Sequence, residues 1–175
     1  MKKISLSSLM IFALALTTLS ACGGGGGGGG STPPQSTPAV LTLSTAVTGA
    51  ISAPTVITGY DVTITLPAGV TVKSTTPPQT DAGVVVGTVN GALAGASYSP
   101  ATGKVHIIIV SPNGNGFTAA GEFCKVKCDI AAGQHPTAAD FQQQPIFTAS
   151  GLDTAKISTV DLTGQLSLKV TAAIN

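Results

Sequence analysis

Apolar and polar residues alternate with a period of two along most of the chain after residue 38. In GYDVTITL (59–66), apolar side chains at every second position are separated by Asp and Thr, which assigns Tyr60 to a buried face. CKVKCDI (124–130) and QLSLKV (165–170) repeat this pattern. Such alternation predicts strands with one face buried and one face in water. KVHIIIV (104–110) is β-branched almost throughout, and this predicts a central strand covered on both faces.

Turn residues stand between these segments. Gly, Pro and Asn occur together at 67–69, 77–78, 90–91, 100–103 and 113–116, and short strands separated by turn signals predict an antiparallel sandwich or barrel. Residues 137–143 alone suggest a helix, a short one with Thr137 as its cap and Asp140 three residues later. The sequence therefore predicts an all-β domain with at most one short helix. About nine strands are predicted, near 40–45, 57–66, 70–74, 83–89, 95–99, 104–111, 121–131, 146–149 and 164–172.

The first 21 residues have the layout of a secretory signal. Two lysines at positions 2 and 3 precede the apolar run 9–16, which is too short to span a bilayer as a helix. The following LSAC (19–22) resembles the lipobox of bacterial lipoproteins. That resemblance implies cleavage between Ala21 and Cys22, a diacylglyceryl group on the Cys22 thiol and usually acylation of its amine, for example with palmitate. An ordinary signal followed by a coincidental cysteine is the alternative.

A lipidated Cys22 would anchor the chain to the bacterial envelope, since several acyl chains hold a protein stably where one does not. An Asp directly after the cysteine would resemble an inner-membrane retention signal. That position is Gly23, which favours the outer membrane as the location of the protein. Residues 22–38 then form a linker: 23–30 are all Gly and should remain a coil, while 31–38 contain three prolines and should be stiffer. A phosphate-binding loop is not supported, because no strand, helix or Lys accompanies the glycines.

The remaining residues, 39–175, are similar to a cohesin domain in the order of their features. ITGYDVTITLPAGVTVKS (57–74) resembles the early strands of that family, SYSPATGKVHIIIVSPNGNGFTAAGEFCKVKCDI (97–130) its middle, and DFQQQPIFTASGLD (140–153) with GQLSLKV (164–170) its final portion. The resemblance implies a nine-stranded jelly-roll sandwich, a fold that cohesins share with a group of bacterial carbohydrate-binding modules. It also implies a non-catalytic module that docks a protein partner, which in cohesins is the dockerin domain of polysaccharide-degrading enzymes.

Composition bears on the choice of ligand. The chain has no Arg, and without Lys2 and Lys3 its six lysines face seven acidic residues, a net charge of −1; this argues against nucleic acid as a partner. It also has no Trp and two Tyr, whereas sugar platforms usually stack pyranoses on exposed aromatic rings. Docking of a protein partner is therefore the leading hypothesis. Direct polysaccharide binding and a purely structural role in the envelope remain as alternatives.

The sequence points to no catalytic residue, cofactor or metal. His106 on an apolar strand and His135 before a proline have no acidic residue at ligand spacing, so each is assigned a structural or solvent-facing role. Cys124 and Cys128 are candidates for a disulfide in an oxidising envelope. However, four residues of straight strand span about 13 Å, whereas a disulfide needs Cα atoms about 4.4–6.8 Å apart. The sequence therefore leaves two possibilities for this pair: two buried thiols, or a disulfide across a bent strand. The main site prediction is lipid attachment at Cys22 with cleavage before it.

Overall fold

The computed structural model of the chain describes residues 35–112, 116–117 and 120–175. The predicted signal peptide (1–21), Cys22 and the linker as far as residue 34 lie outside the described residues. So do residues 113–115 of the Asn and Gly loop and residues 118–119. The first strand begins at Thr37, so the sheet includes the last two residues that the sequence assigned to the linker.

The described residues form ten strands and one short 3-10 helix. The predicted all-β class is confirmed, and the single predicted helix is the 3-10 helix Ala138–Gln142, where the Asp140 carboxylate accepts hydrogen bonds from the backbone N–H and the hydroxyl of Thr137. The strands are β1 Thr37–Val47, β2 Thr55–Thr65, β3 Val70–Thr71, β4 Val85–Gly87, β5 Leu93–Ser99, β6 Lys104–Val110, β7 Gly121–Ile130, β8 Ile146–Asp153, β9 Ser158–Asp161 and β10 Leu166–Ile174.

These strands make two antiparallel sheets. Sheet A has the order β10-β1-β7, with β3 and β4 both paired to the far side of β7. Sheet B has the order β5-β6-β2-β8-β9. Consecutive strands repeatedly lie in different sheets, as β1 and β2 do, so the chain passes back and forth between the layers. The fold is thus the predicted sandwich.

The core fills the space between the two sheets. Along most of β1, β2 and β7 every second residue is buried, among them Leu41 and Leu43 of β1 and Val62 and Ile64 of β2, as period-two patterning requires. Tyr60 lies in this core, as the sequence predicted. The prediction follows from the two-residue spacing, because Tyr60 lies on the same face of β2 as the buried Val62 and Ile64.

An aromatic cluster centred on Tyr60 joins the layers. The Tyr60 ring centroid lies 4.3 Å from that of Phe123 in β7, 4.9 Å from Phe117 and 6.0 Å from Phe147 in β8. Its hydroxyl is 3.5 Å from Oγ1 of Thr45 in β1, on the opposite sheet. Phe123 reaches the core because the pairing of β1 with β7 shifts register at this point, which buries two consecutive residues.

Several details of the predicted strands were wrong. β3 is limited to Val70–Thr71, where the sequence predicted 70–74, and β8 continues to Asp153, beyond the predicted end at 149. β9 was missed because its four residues, STVD, present only Val160 toward the core, and polar turns flank it. KVHIIIV is not covered on both faces: Val105, Ile107 and Ile109 are buried, while the intervening residues face outward. The error arose because an unbroken apolar run carries no period from which to read the exposed face.

Candidate functional site

The two outer faces of the sandwich differ in chemistry. On sheet A, the outward positions of β7 and β10 carry Lys125, Lys127 and Lys169 together with Glu122 and Asp129. Lys125 Nζ lies 3.2 Å from Glu122 Oε1. Exposed charges of both signs are typical of a surface that stays in water. In the described strands of sheet A, Val86 of β4 is the one exposed large aliphatic residue at an outward position, opposite Lys125. Its side chain is 41% exposed.

Sheet B presents aliphatic side chains on its outer face. Leu93 of β5 pairs directly with Val110 of β6, and Ile108 lies two residues before Val110 on the same face. Ile146 of β8 lies two strands away, opposite Thr63 of β2. We call Leu93, Ile108, Val110 and Ile146 the apolar face. Leu93 and Ile146 are 61% and 64% exposed, and Ile108 is 46% exposed.

A polar pair stands within the apolar face. Asp61 is opposite Ile108, and His106 is opposite Thr63, so the two side chains meet diagonally across β2 and β6. Asp61 Oδ1 lies 2.8 Å from His106 Nε2, and both side chains are about half exposed. For His106 the sequence left a structural and a solvent-facing role open, and in the structure its side chain is 43% exposed and contacts Asp61. Its acidic partner could not be found in the sequence, because the contact depends on the register of two strands that are 45 residues apart.

A serine lies beside this pair on the neighbouring strand. Ser97 of β5 is opposite His106 in the strand register. Within the described part of the chain, however, no hydrogen bond joins the Ser97 hydroxyl to the imidazole. Activation of a serine requires a base within hydrogen-bonding reach. The exposed pair is therefore suited to recognition, since the second carboxylate oxygen of Asp61 and the second ring nitrogen of His106 can form hydrogen bonds beside aliphatic side chains.

Cys124 and Cys128 are both buried free thiols on the inward side of β7. Val126 lies between them on the same face of the strand, and each thiol packs into the core as a small apolar group. Burial raises the pKa of each thiol to about 12, because the thiolate would lose its hydration. Both are thus protonated and unreactive at neutral pH.

His135 lies in the loop after β7 and lines an open cleft. The cleft has a volume of about 720 Å³, within the range of about 300–1,000 Å³ usual for ligand pockets. It is bounded by the residues after β2 and by the segment around the 3-10 helix. Among the residues that the structure describes, no group of three or more His, Cys, Asp or Glu side chains could hold a metal ion.

In the described residues, no helix has both the length and the apolar character needed to cross a membrane.

Comparison with known proteins gives a structural likeness only. No family model matches the chain, and no curated protein matches it. Two solved structures are similar: a cohesin module from a family 33 glycoside hydrolase of Clostridium perfringens and the type II cohesin A11 of Bacteroides cellulosolvens. Each has a TM-score of 0.42 and 12% sequence identity. The first match covers 78% of this chain and 96% of that chain, and the second covers 75% and 88%.

Both similar structures are cohesin modules. At 12% identity the match does not align individual residues of this chain with binding residues of a cohesin. The apolar face and the cleft are therefore defined by this chain's own strand pairing, exposure and polar groups.

Proposed function

We propose that residues 37–175 form a non-catalytic binding module, and that a protein partner docks on the apolar face of sheet B. The observation that carries this proposal is the contrast between the two outer faces. The face of sheet A is charged, whereas aliphatic side chains of three strands share the face of sheet B. Adjacent exposed apolar side chains with polar groups around them are characteristic of protein interaction sites.

The geometry of the apolar face suits a protein partner better than a sugar chain. Its exposed side chains are Leu, Ile and Val, which can be buried by a partner's own apolar residues but offer no ring for a pyranose to stack on. Asp61 and His106 can exchange hydrogen bonds with the partner beside this apolar contact. In protein interfaces a few buried apolar contacts, combined with a small number of polar ones, supply most of the binding energy.

The partner that we propose is a dockerin-type domain linked to polysaccharide degradation. This part of the proposal is supported by the resemblance of segments 57–74 and 97–130 to cohesin domains. The test is a binding assay in which the immobilised protein meets the secreted proteins of its organism and, separately, a panel of polysaccharides. Retention of a defined protein that is lost on Ile108→Lys supports the proposal. Retention of that protein by the Ile108→Lys variant would contradict it.

We further propose that the module is a lipoprotein, attached through Cys22 to the outer membrane. The support is the LSAC sequence at 19–22 after an apolar signal, with Gly23 following the cysteine. The Gly-rich and Pro-rich segment after Cys22 would hold the module away from the membrane and let it reorient. Replacing Cys22 with Ala should release the protein from the membrane fraction, and continued membrane association would count against lipid attachment.

A further inference from the structure

A second surface, separate from the apolar face, carries a cluster of uncommitted polar groups. We propose that the cleft between the end of β2 and the 3-10 helix segment binds a neutral saccharide. Polar side chains from the loop after β7 and from the 3-10 helix segment line this cleft, and we call them the amide cluster: Gln134, His135, Asp140, Gln143 and Gln144. This site is independent of docking on the apolar face, since none of the residues of the apolar face lines it.

The chemistry of the amide cluster matches hydroxyl groups. A carboxamide offers two donor hydrogens and an acceptor oxygen, and a sugar hydroxyl both donates and accepts. Within the described residues, the side chains of Gln134, Gln143 and Gln144 make no hydrogen bond to the protein. They are therefore available to a ligand. Several convergent polar groups on one cleft are the usual means of orienting a small ligand.

Asp140 supplies a fixed acceptor in the same cleft. Its Oδ2 accepts hydrogen bonds from the backbone N–H of Thr137 at 2.7 Å and from the Thr137 hydroxyl at 2.8 Å. These two bonds lower the pKa of Asp140 and hold its carboxylate in place. Among the described residues, Oδ1 of the same carboxylate takes no hydrogen bond. A charged acceptor of this kind binds a pair of sugar hydroxyls more strongly than a neutral one does.

The backbone around the cleft is held in shape. Gly69 has a φ of +76°, and a Cβ at this position would lie 2.4 Å from Cγ of Gln134, so only glycine allows that side chain to pack over the turn. The loop is closed by hydrogen bonds from Ala131 N to Gly69 O and from Gln134 N to Ala131 O, at 2.8 and 3.0 Å. Gln144 has a φ of +35°, an uncommon conformation that occurs at ligand sites more often than elsewhere.

The charge and floor of the cleft indicate a neutral ligand. Among the described residues no Lys lines it, so phosphate or a uronic acid would meet the Asp140 carboxylate without a compensating lysine. Leu66, Pro67 and Pro136 line the cleft between the polar groups. Their aliphatic surfaces can contact the C–H groups of a sugar ring.

The experiment is an NMR titration of the ¹⁵N-labelled protein with neutral oligosaccharides, namely cello-, xylo-, manno- and malto-hexaose, and with an oligogalacturonate as the anionic comparison. We expect the side-chain amide signals of Gln134, Gln143 and Gln144 to shift with one of the neutral sugars. If none of the neutral sugars causes a shift at about 10 mM, any binding is too weak to be specific and the proposal is overturned. Equal binding of the oligogalacturonate would overturn the assignment of a neutral ligand.

Adjacent glutamines provide a matched pair of variants. Gln143→Ala removes a residue of the amide cluster, whereas Gln142→Ala changes an exposed neighbour that does not line the cleft. We expect the first to weaken binding about three- to tenfold, the effect of losing one hydrogen bond, and the second to leave it unchanged. Equal affinities of the two variants would overturn the site. Ile108→Lys should retain full sugar binding, which separates failure of this proposal from failure of protein docking.

Discussion

Three consecutive isoleucines in β6 allow a direct test of how the sheet is oriented. Ile107 and Ile109 are fully buried, whereas Ile108 between them is 46% exposed. Truncating a buried Ile to Ala costs about 2–5 kcal/mol, because a cavity remains where the side chain was. At Ile108 only about half of the side-chain burial is lost and water fills the space, so we expect a cost of about 1 kcal/mol.

Urea unfolding followed by circular dichroism measures this difference. With a slope of about 2 kcal/mol per M, Ile109→Ala should lower the midpoint by about 1–2.5 M and Ile108→Ala by about 0.5 M. If Ile109→Ala does not fold, the milder Ile109→Val should still cost about 0.5–1.5 kcal/mol, against almost nothing for Ile108→Val. Equal losses at the two positions would refute the assignment of Ile108 to the outer face and with it the apolar face.

The remaining predictions concern the core, the thiols and acid. Gly151→Ala should lower the free energy of unfolding by about 1–3 kcal/mol in thermal unfolding, because its Cβ would lie 2.7 Å from the buried side chain of Leu162. Gly95→Ala, with open space around it, should leave the stability nearly unchanged. Similar effects of the two substitutions would contradict this packing. Cys124 and Cys128, each with its pKa raised to about 12, should resist alkylation by iodoacetamide at pH 8 until the protein is unfolded. Peptide mass mapping measures this, and modification of either cysteine in the native protein would contradict their burial. Turn aspartates such as Asp161 have a pKa lowered by hydrogen bonds to their carboxylates, so the unfolding free energy should be constant between about pH 5 and pH 8 and fall as the pH drops below about 4. Stability that rises on acidification would contradict those bonds.

The sequence predicts the strands well wherever apolar and polar residues alternate. The parity of Tyr60 places its ring in the core, and the turn chemistry around Thr137 and Asp140 locates the one short helix. It fails at 104–110, where every residue after the histidine is apolar and only the packed sheet decides which ones face water. It also misses β9, whose single inward Val gives too short a pattern.

The candidate sites depend on contacts between distant parts of the chain. The Asp61–His106 pair follows from the register of β2 with β6. The amide cluster forms because the turn after β2, near Gly69, lies against the loop that carries Gln134. Neither contact can be predicted from the sequence, since each joins segments that are separated by tens of residues along the chain. A glutamine-rich segment at 142–144 was the only local signal, and it carries no ligand preference by itself.

The central claim is that a protein partner docks on the outer face of sheet B. The most direct measurement compares the dissociation constants of that partner for Ile108→Lys and Val86→Lys, which place the same charge at two half-exposed aliphatic positions on opposite sheets. We predict that Ile108→Lys weakens binding by at least about tenfold, as expected for a central interface residue, while Val86→Lys leaves it unchanged. Unchanged affinity for Ile108→Lys, or a larger loss for Val86→Lys, would contradict the account.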